Sequence, residues 1–499
     1  MNGPDFACCH PTGRVRMRVI ACLGCAVLAG CMMGPDYIRP KVDSPAAFRF
    51  EPKDVAETAD LEWWKQFGDP VLDQLIAEAL ANNMSVKQAA ANVEQALGVI
   101  TQTRSALFPQ IGYSGTAERA RSAETPLTQA IPNFPNPQNA YQALLTASWE
   151  IDLWGRIRRL SESAQANMFA TDEARRGVIL TLVSSVATSY IALRGLDEQL
   201  AISQRTLGTY GESVRLYKLQ FQYGQTSQMT VAQAQSQYET AAAQIPQIET
   251  QIAQTKNALS VLLGRNPGPI PRGKSVYDLA VLPVPAGVPS MLLARRPDLM
   301  QAEEQLIAAN AQIGAARALY FPTISLTGAF GGASTQLSDL FKGPARVWSY
   351  AGSVVGPIFT FGAVSGQVAQ AEAGQKAALY NYQLSIQNAF ADVDNSLVAM
   401  QNVRTQLGAQ ERLVAALADY ARLAKLQYDA GYVPYSTILQ AEQTLFPAEL
   451  QLALVRASVF TSAANVYKSM GGGWVTEADK MTGGPGTPSE EQVAKQPLF

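Results

Sequence analysis

Histidine and cysteine are almost missing from this chain of 499 residues. The one histidine is His10, and the five cysteines, Cys8, Cys9, Cys22, Cys25 and Cys31, all lie before residue 32. A mature chain beginning at Cys31 has no histidine and no internal thiol. That excludes histidine acid–base chemistry, cysteine nucleophiles, thiolate metal sites and internal disulfides together. A charge excess is missing too: 39 Lys+Arg stand against 41 Asp+Glu. No basic surplus points to nucleic acid, and no acidic run points to a solvating tail. The residues that remain make a poor enzyme. Asp392 and Asp394 lie two apart and so do not share a helix face. Gly331-Gly332 and Gly471–Gly473 lack the strand–helix context of a phosphate loop. Arg295-Arg296 could bind phosphate, but a structural role at a helix start suits the pair better. The chain reads as non-enzymatic.

Hydrophobic residues make up 47% of the chain, but aliphatic bulk is diluted by alanine and glutamine is abundant. That mixture suits long helices with thin apolar seams. At the N-terminus Arg14, Arg16 and Arg18 precede the apolar run Val19–Leu28, followed by Ala29-Gly30-Cys31. A basic start, a short apolar stretch and small residues before a cut make a secretory signal. The apolar stretch is too short to span a bilayer. Translation starts at Met1 or Met17.

The chain contains itself twice. Phe108, Pro109, Ile111 and Gly115 recur as Phe321, Pro322, Ile324 and Gly328, and Val86, Val93 and Ile100 recur as Leu299, Leu306 and Ile313. Residues 108–119 and 141–153 alternate between apolar and polar, as do 321–331 and 347–360. Such period-2 runs of about ten residues read as half-buried strands, and about 9–11 residues is also the length of a tilted strand crossing a bilayer. Alternation alone leaves a soluble hairpin open. After each strand pair comes a seven-residue stripe: Ile179, Val186, Leu193, Leu200, Leu207, Val214, Phe221, then Ile386, Val393, Met400, Leu407, Val414, Ala421, Tyr428. A stripe of that period is a coiled-coil seam. Each helix would be about 95 Å long at ~1.5 Å per residue. Breaks at Gly224 and Gly431 turn each one back into a hairpin, and Pro246 is expected to kink the first return helix.

The chain thus divides into a signal peptide (1–30), an extended segment (31–68), a first repeat (69–264, hairpin about 156–263), a linker (265–294), a second repeat (295–471, hairpin about 362–470) and a flexible C-terminal tail (472–499). Asp69 is expected to cap a helix starting at Pro70. Four strands cannot close a membrane barrel, since single-chain barrels start at about eight. Open edges in lipid cost several kcal/mol per unpaired group. If the strands sit in a membrane, several chains share one barrel, and the helices project from one end.

Leu28–Cys31, Gly34–Tyr37, Trp63-Trp64 with Phe67 and Asp69, Leu292–Asp298, Ile313-Gly314 and both Phe-Pro pairs give the chain its likeness. It resembles the outer-membrane factor family, the TolC- and NodT-like lipoprotein channels of multidrug efflux, over nearly all of the mature chain. The resemblance implies an α+β membrane protein: a trimeric 12-stranded β-barrel, four strands per chain, continued by a periplasmic α-helical barrel. It implies no cofactor, covalent lipid (N-acyl and S-diacylglycerol) on Cys31, and an outer-membrane location. The implied partners are a homotrimer, a periplasmic adaptor and an inner-membrane pump of the RND type, with no nucleic acid. The function implied is a passive exit duct for drugs or small solutes. Protein secretion and a poreless lipid-anchored scaffold stay open as alternatives. By the same resemblance the tunnel closes near the second glycine break. Tyr428 matches the family's gate tyrosine, Gln440 stands where a carboxylate is usual, and Thr437 occupies the other commonly acidic place. Packing within the seam is the competing role for Tyr428. The hairpin tips at Gly224 and Gly431 are the candidate adaptor-docking points.

Overall fold

The computed structural model describes residues 32–45, 47–50, 55–56, 62–121, 123, 136–285 and 289–482. Residues 1–31, which hold the expected signal peptide and Cys31, and residues 483–499 lie outside the described residues.

Two short helices open the first half, α1 (Pro70–Asn82) and α2 (Met84–Ser105). Asp69 starts α1 as its sequence predicts. Its carboxylate accepts from the Val71 amide at 3.0 Å, with Pro70 in the first turn. Asn83 ends α1 and caps α2, accepting from the Ser85 and Val86 amides at 2.8 and 3.1 Å. Strands β1 (Gln110–Ala120) and β2 (Gln138–Ile151) follow. Next come α3 (Arg156–Gln222) and its return helix α4 (Gln228–Leu262). The second half repeats the order: α5 (Pro297–Ala318), β3 (Thr323–Ser334), β4 (Arg346–Val355), α6 (Ala363–Asp429) and α7 (Tyr435–Met470). At 67 residues each, α3 and α6 are about 100 Å long at ~1.5 Å per residue.

The strands form one antiparallel sheet in the order β1-β2-β3-β4. Its register keeps like with like. Tyr113 sits opposite Leu145, Leu145 opposite Phe330, and Phe330 opposite Trp348. Ile111, Trp149, Leu326, Tyr350 and Val354 share that face through the same pairings. The opposite face carries Ser114, Thr116, Thr146, Glu150, Ser325, Thr327 and Ser353. Both β1 and β4 are left as edges. The helices repeat this arrangement. α3 packs against α4 and α7, and α7 packs in turn against α6. The wall therefore runs α4-α3-α7-α6, with α4 and α6 outermost. The most apolar stretch of α3 is long enough to cross a bilayer by composition, yet half of it is buried in this wall.

Two expectations need correction. The C-terminal tail is not loose at its start: Trp474–Lys480 forms a helix, α8, with Trp474 wholly buried. Trp474 packs edge-on against Trp63 and Trp64 at 6.1 and 5.6 Å, and Asp479 pairs with Arg175 of α3. A seven-residue helix is too short to show periodicity, so its polar, glycine-flanked surroundings dominate the sequence signal. Second, the last strand stops at Val355 rather than near 360, because Pro357 has no amide to continue the ladder. Helix α4 continues through Pro246, as α7 does through Pro447, and Pro246 is solvent-exposed, where water satisfies the carbonyl its missing N–H would have served.

Candidate conduit and gate

The first functional element is the sheet. Exposure of Ile111, Tyr113, Trp348, Tyr350 and Val354 on one side gives a continuous apolar surface. Hydroxyls and carboxylates occupy the other. A surface of this size facing water would aggregate, whereas facing hydrocarbon it is stable. The polar face is then the side that meets water.

The second element is a pair of fastenings at the two ends of α5. Arg296 at the start of α5 reaches both neighbouring helices. Its guanidinium donates to the carbonyls of Ala389 and Ser469 at 3.4 and 3.0 Å and to Asp298 and Asp392 at 2.7 and 3.1 Å. All of its donors are engaged, so it is a structural staple and not a phosphate ligand. Asp394, two residues on from Asp392, instead accepts from the Arg49 amide at 3.0 Å. Gly34 and Gly314, from separate stretches of the sequence, meet near the other end of α5, where sheet meets helices. A Cβ on Gly314 would lie 2.3 Å from the Met33 carbonyl oxygen, and Gly34 takes a φ of +92°. Arg159 holds the same strap by donating to the Met33 carbonyl at 3.0 Å and to Asp36 at 2.7 Å. Residues 33–37 are thus fastened to the junction of α3 and α5. Cys31 itself lies outside the described residues.

The third element is the tip. Both breaks use the same cap. Gly224 and Gly431 have φ of +70° and +78°, and their amides donate to Phe221 and Tyr428 at 3.0 and 2.9 Å. The following amides, of Gln225 and Tyr432, reach back to Gln220 and Gln427, each at 2.8 Å. That pair of bonds is the Schellman arrangement, which needs a left-handed residue and favours glycine. A Cβ at either glycine would meet nothing within 4 Å, so both turns are open.

Tyr428 is half-buried and packs between hairpins. Its ring lies 6.2 Å from Tyr217 of α3 and 5.9 Å from Tyr435 of α7, and Tyr217 and Tyr435 lie 4.3 Å apart. Burial, reinforced by neighbouring tyrosines, pushes the Tyr217 hydroxyl far above its ordinary range; burial with nearby Glu442 does the same for Tyr435. Both are neutral at any physiological pH. Thr437 is half-buried in the first turn of α7, its amide donating to the Pro434 carbonyl at 3.0 Å. Gln440 is exposed. The three residues lie within one tip, but only Tyr428 joins the cross-hairpin contact.

Sequence reasoning missed Tyr217, Tyr435 and Glu442. Tyr217 stands three residues beyond Val214 of the seam, a spacing that returns it to the same face. Glu442 follows Ala441 of the return seam. Burial pushes its carboxyl up to about 7, opposed by the charge of Lys425. Its carbonyl accepts from the Tyr210 hydroxyl at 3.3 Å. A carboxyl placed beside a seam residue was the available signal.

An apolar-outside stave continued by helices that outrun any bilayer defines a class of protein: a wall segment of a transport conduit. The family model described as outer membrane efflux protein matches residues 75–265 and 288–472. The chain is 34% identical to the probable outer membrane lipoprotein SilC of Salmonella typhimurium, covering 90% of this chain and 97% of the relative. It is 34% identical to the cation efflux system protein CusC of Escherichia coli over 90% of this chain and 96% of that one. The crystal structure of CusC aligns with a TM-score of 0.78 at 33% identity, covering 89% of this chain and 100% of that one. The toluene efflux pump outer membrane protein TtgF of Pseudomonas putida is 36% identical over 90% of this chain and 95% of its own. The chain belongs to the outer membrane efflux protein family. It is a non-enzymatic efflux conduit of the outer membrane.

Proposed function

We propose that three copies of this chain close a 12-stranded barrel and a helical tunnel, forming the passive exit duct of a tripartite efflux system. The observation that carries this is the matched pair of open ends. The sheet stops at β1 and β4, and the helical wall stops at α4 and α6. Leu384, Leu413 and Leu426 of α6 are exposed on that outer edge, as are Met229 and Val261 of α4. One neighbour on each side covers both kinds of edge at once and pairs the backbone groups that lipid would leave unsatisfied.

A periplasmic adaptor meets the open turns at Gly224 and Gly431, and an inner-membrane pump supplies the energy. The tip closes around Tyr428, with Thr437 and Gln440 beside it. Because Gln440 replaces a carboxylate, divalent cations block this channel more weakly than an acidic ring would allow. A lipid on Cys31 fits the strap, since Met32 lies against Gly155 at the start of α3, where sheet gives way to helix. SilC, named a lipoprotein, supports that anchor. The relatives are named for cations and for toluene at similar identity, so the cargo of this duct is set by its pump.

Planar-bilayer recording of the purified protein tests the reading. Stepwise conductance that survives removal of adaptor and pump is the expected result. A non-conducting trimer or a soluble monomer defeats it, and strong millimolar divalent block defeats the reading of Gln440.

A further inference from the structure

The turn between β3 and β4 does not extend into solvent. Residues 336–345 fold back over the apolar face of the sheet. A Cβ on Gly332 would lie 2.1 Å from the Leu340 carbonyl oxygen, and the Leu340 side chain is buried. Gly332 pairs with Ala143, and Ala143 pairs with Gly115. The Leu340 backbone fills this row over Gly332, and the small residues Ala143 and Gly115 beside it leave a trench, open above Gly115. Tyr113, Leu145 and Phe330, one row nearer the helices, make its lower wall. Leu340 and Phe341 overhang it from the loop. The resulting cavity has a volume of about 550 Å³.

Cations stand at its mouth. Arg346 pairs with Gly332 in the ladder, so its side chain emerges on the apolar face beside the trench, and it lines the cavity with Lys342. Lys342 is balanced by Asp339 at 2.5 Å. Arg346 is exposed and makes no ion pair among the described residues. Arg119 lies on the same face, further from the helices. Phe341 is 86% exposed, and Trp348 and Tyr350 stack at 5.7 Å just below Arg346. An arginine above stacked aromatics on a lipid-facing strand marks the headgroup level of a membrane. This end of the sheet is opposite the helices, which places it at the outer leaflet.

We propose that the trench binds a phosphorylated, multiply acylated glycolipid of the outer leaflet. One acyl chain lies over Gly115 and Ala143, with Leu340 and Phe341 closing the trench at its Gly332 end. A headgroup phosphate is held by Arg346, whose fork matches phosphate geometry, with Lys342 and Arg119 adding charge. All the lining residues come from one chain, so each copy carries its own site whatever the barrel's stoichiometry.

The test uses purified full-length protein in detergent. It is titrated with a bis-phosphorylated hexa-acyl glucosamine disaccharide lipid, the same lipid with its phosphates removed, or phosphatidylglycerol, and read by native mass spectrometry. The wild type is expected to retain the phosphorylated glycolipid above both others. Arg346→Gln should weaken retention about five-fold, the effect of one cation at a charged membrane surface. Phe341→Ser, at an exposed loop position that does not endanger folding, should weaken all acylated lipids alike. Equal retention of the dephosphorylated lipid, or of phosphatidylglycerol, overturns the proposal. So does an Arg346→Gln protein that binds as tightly as wild type. Inorganic phosphate that displaces the lipid outright would assign the site to a free anion instead and also overturns it. Conductance of both variants is expected to match wild type, so failure here is separable from failure of the duct.

Discussion

The outgoing helices α3 and α6 have equal length and the same seven-residue stripe, but they are covered differently. α3 is buried at many points from Ile157 to Tyr217, whereas α6 is buried mainly between Tyr382 and Met400. α3 sits inside the chain's own wall, between α4 and α7. α6 has a partner on one side and none within the chain on the other. In both stripes burial fades toward the tip: Val186 and Val393 are wholly enclosed, while Phe221 is 45% exposed and Tyr428 half-buried. Identical periodicity therefore yields two different parts, a central stave and an edge stave. The tip is drawn together again by a small buried cluster that includes Val214, Tyr217, Ala424 and Tyr435.

The anchoring of the two helices differs as well, and four changes test the contrast. The largest effect should come from Arg296→Ala. It removes the charge that ties α5 to α6 and α7 and leaves the carbonyls of Ala389 and Ser469 without that donor, while Asp298 and Asp392 are already more than half exposed. A loss of about 2–4 kcal/mol is expected, seen as a marked drop in thermal stability. Lysine should not rescue it, because one ammonium cannot span partners on three helices. A small effect would mean that α6 is held by its neighbour copy rather than by its own chain.

Glycines of the short helices come next. Gly314→Ala forces the strap at Met33 to move and should cost about 1–3 kcal/mol. Gly98→Ala, in α2 with open space around its Cβ position, should gain up to about 1 kcal/mol from helix propensity. Opposite signs in melting experiments would show that the strap distinguishes the halves; matching signs would remove that distinction.

The tip glycines should behave alike. Gly224→Ala and Gly431→Ala each force a side chain into the left-handed region at about 1–2 kcal/mol. Unequal losses by hydrogen exchange at the two tips would show that the tyrosine contact at Tyr428 strains one turn and not the other.

The smallest effect is pH-dependent. Glu442 has its folded pKa raised from the ordinary 4.5 to about 7. Between those values the folded tip keeps a proton that the unfolded chain has lost, so tip stability falls as pH rises through that window. The change is complete above 7. Glu442→Gln should abolish the trend and slow amide exchange around Tyr435 at pH 8 relative to the wild type. An unchanged pH profile would place the proton elsewhere.

Much of this molecule was legible in one dimension. Alternation found the strands, because a sheet with one face in oil and one in water must repeat every two residues. The stripe found both hairpins, and Asp69-Pro70, Gly224 and Gly431 marked their ends through local backbone chemistry alone. What could not be read was any contact between segments far apart in sequence. The tyrosine cluster needs Tyr217 and Tyr435 on different hairpins. The strap needs Gly34 against Gly314, and α8 needs Trp474 between two tryptophans some four hundred residues earlier. Local periodicity reports which face of an element is buried; it carries no information about what buries it. That was decided by packing, where the order α4-α3-α7-α6 made one stripe a centre and the other an edge.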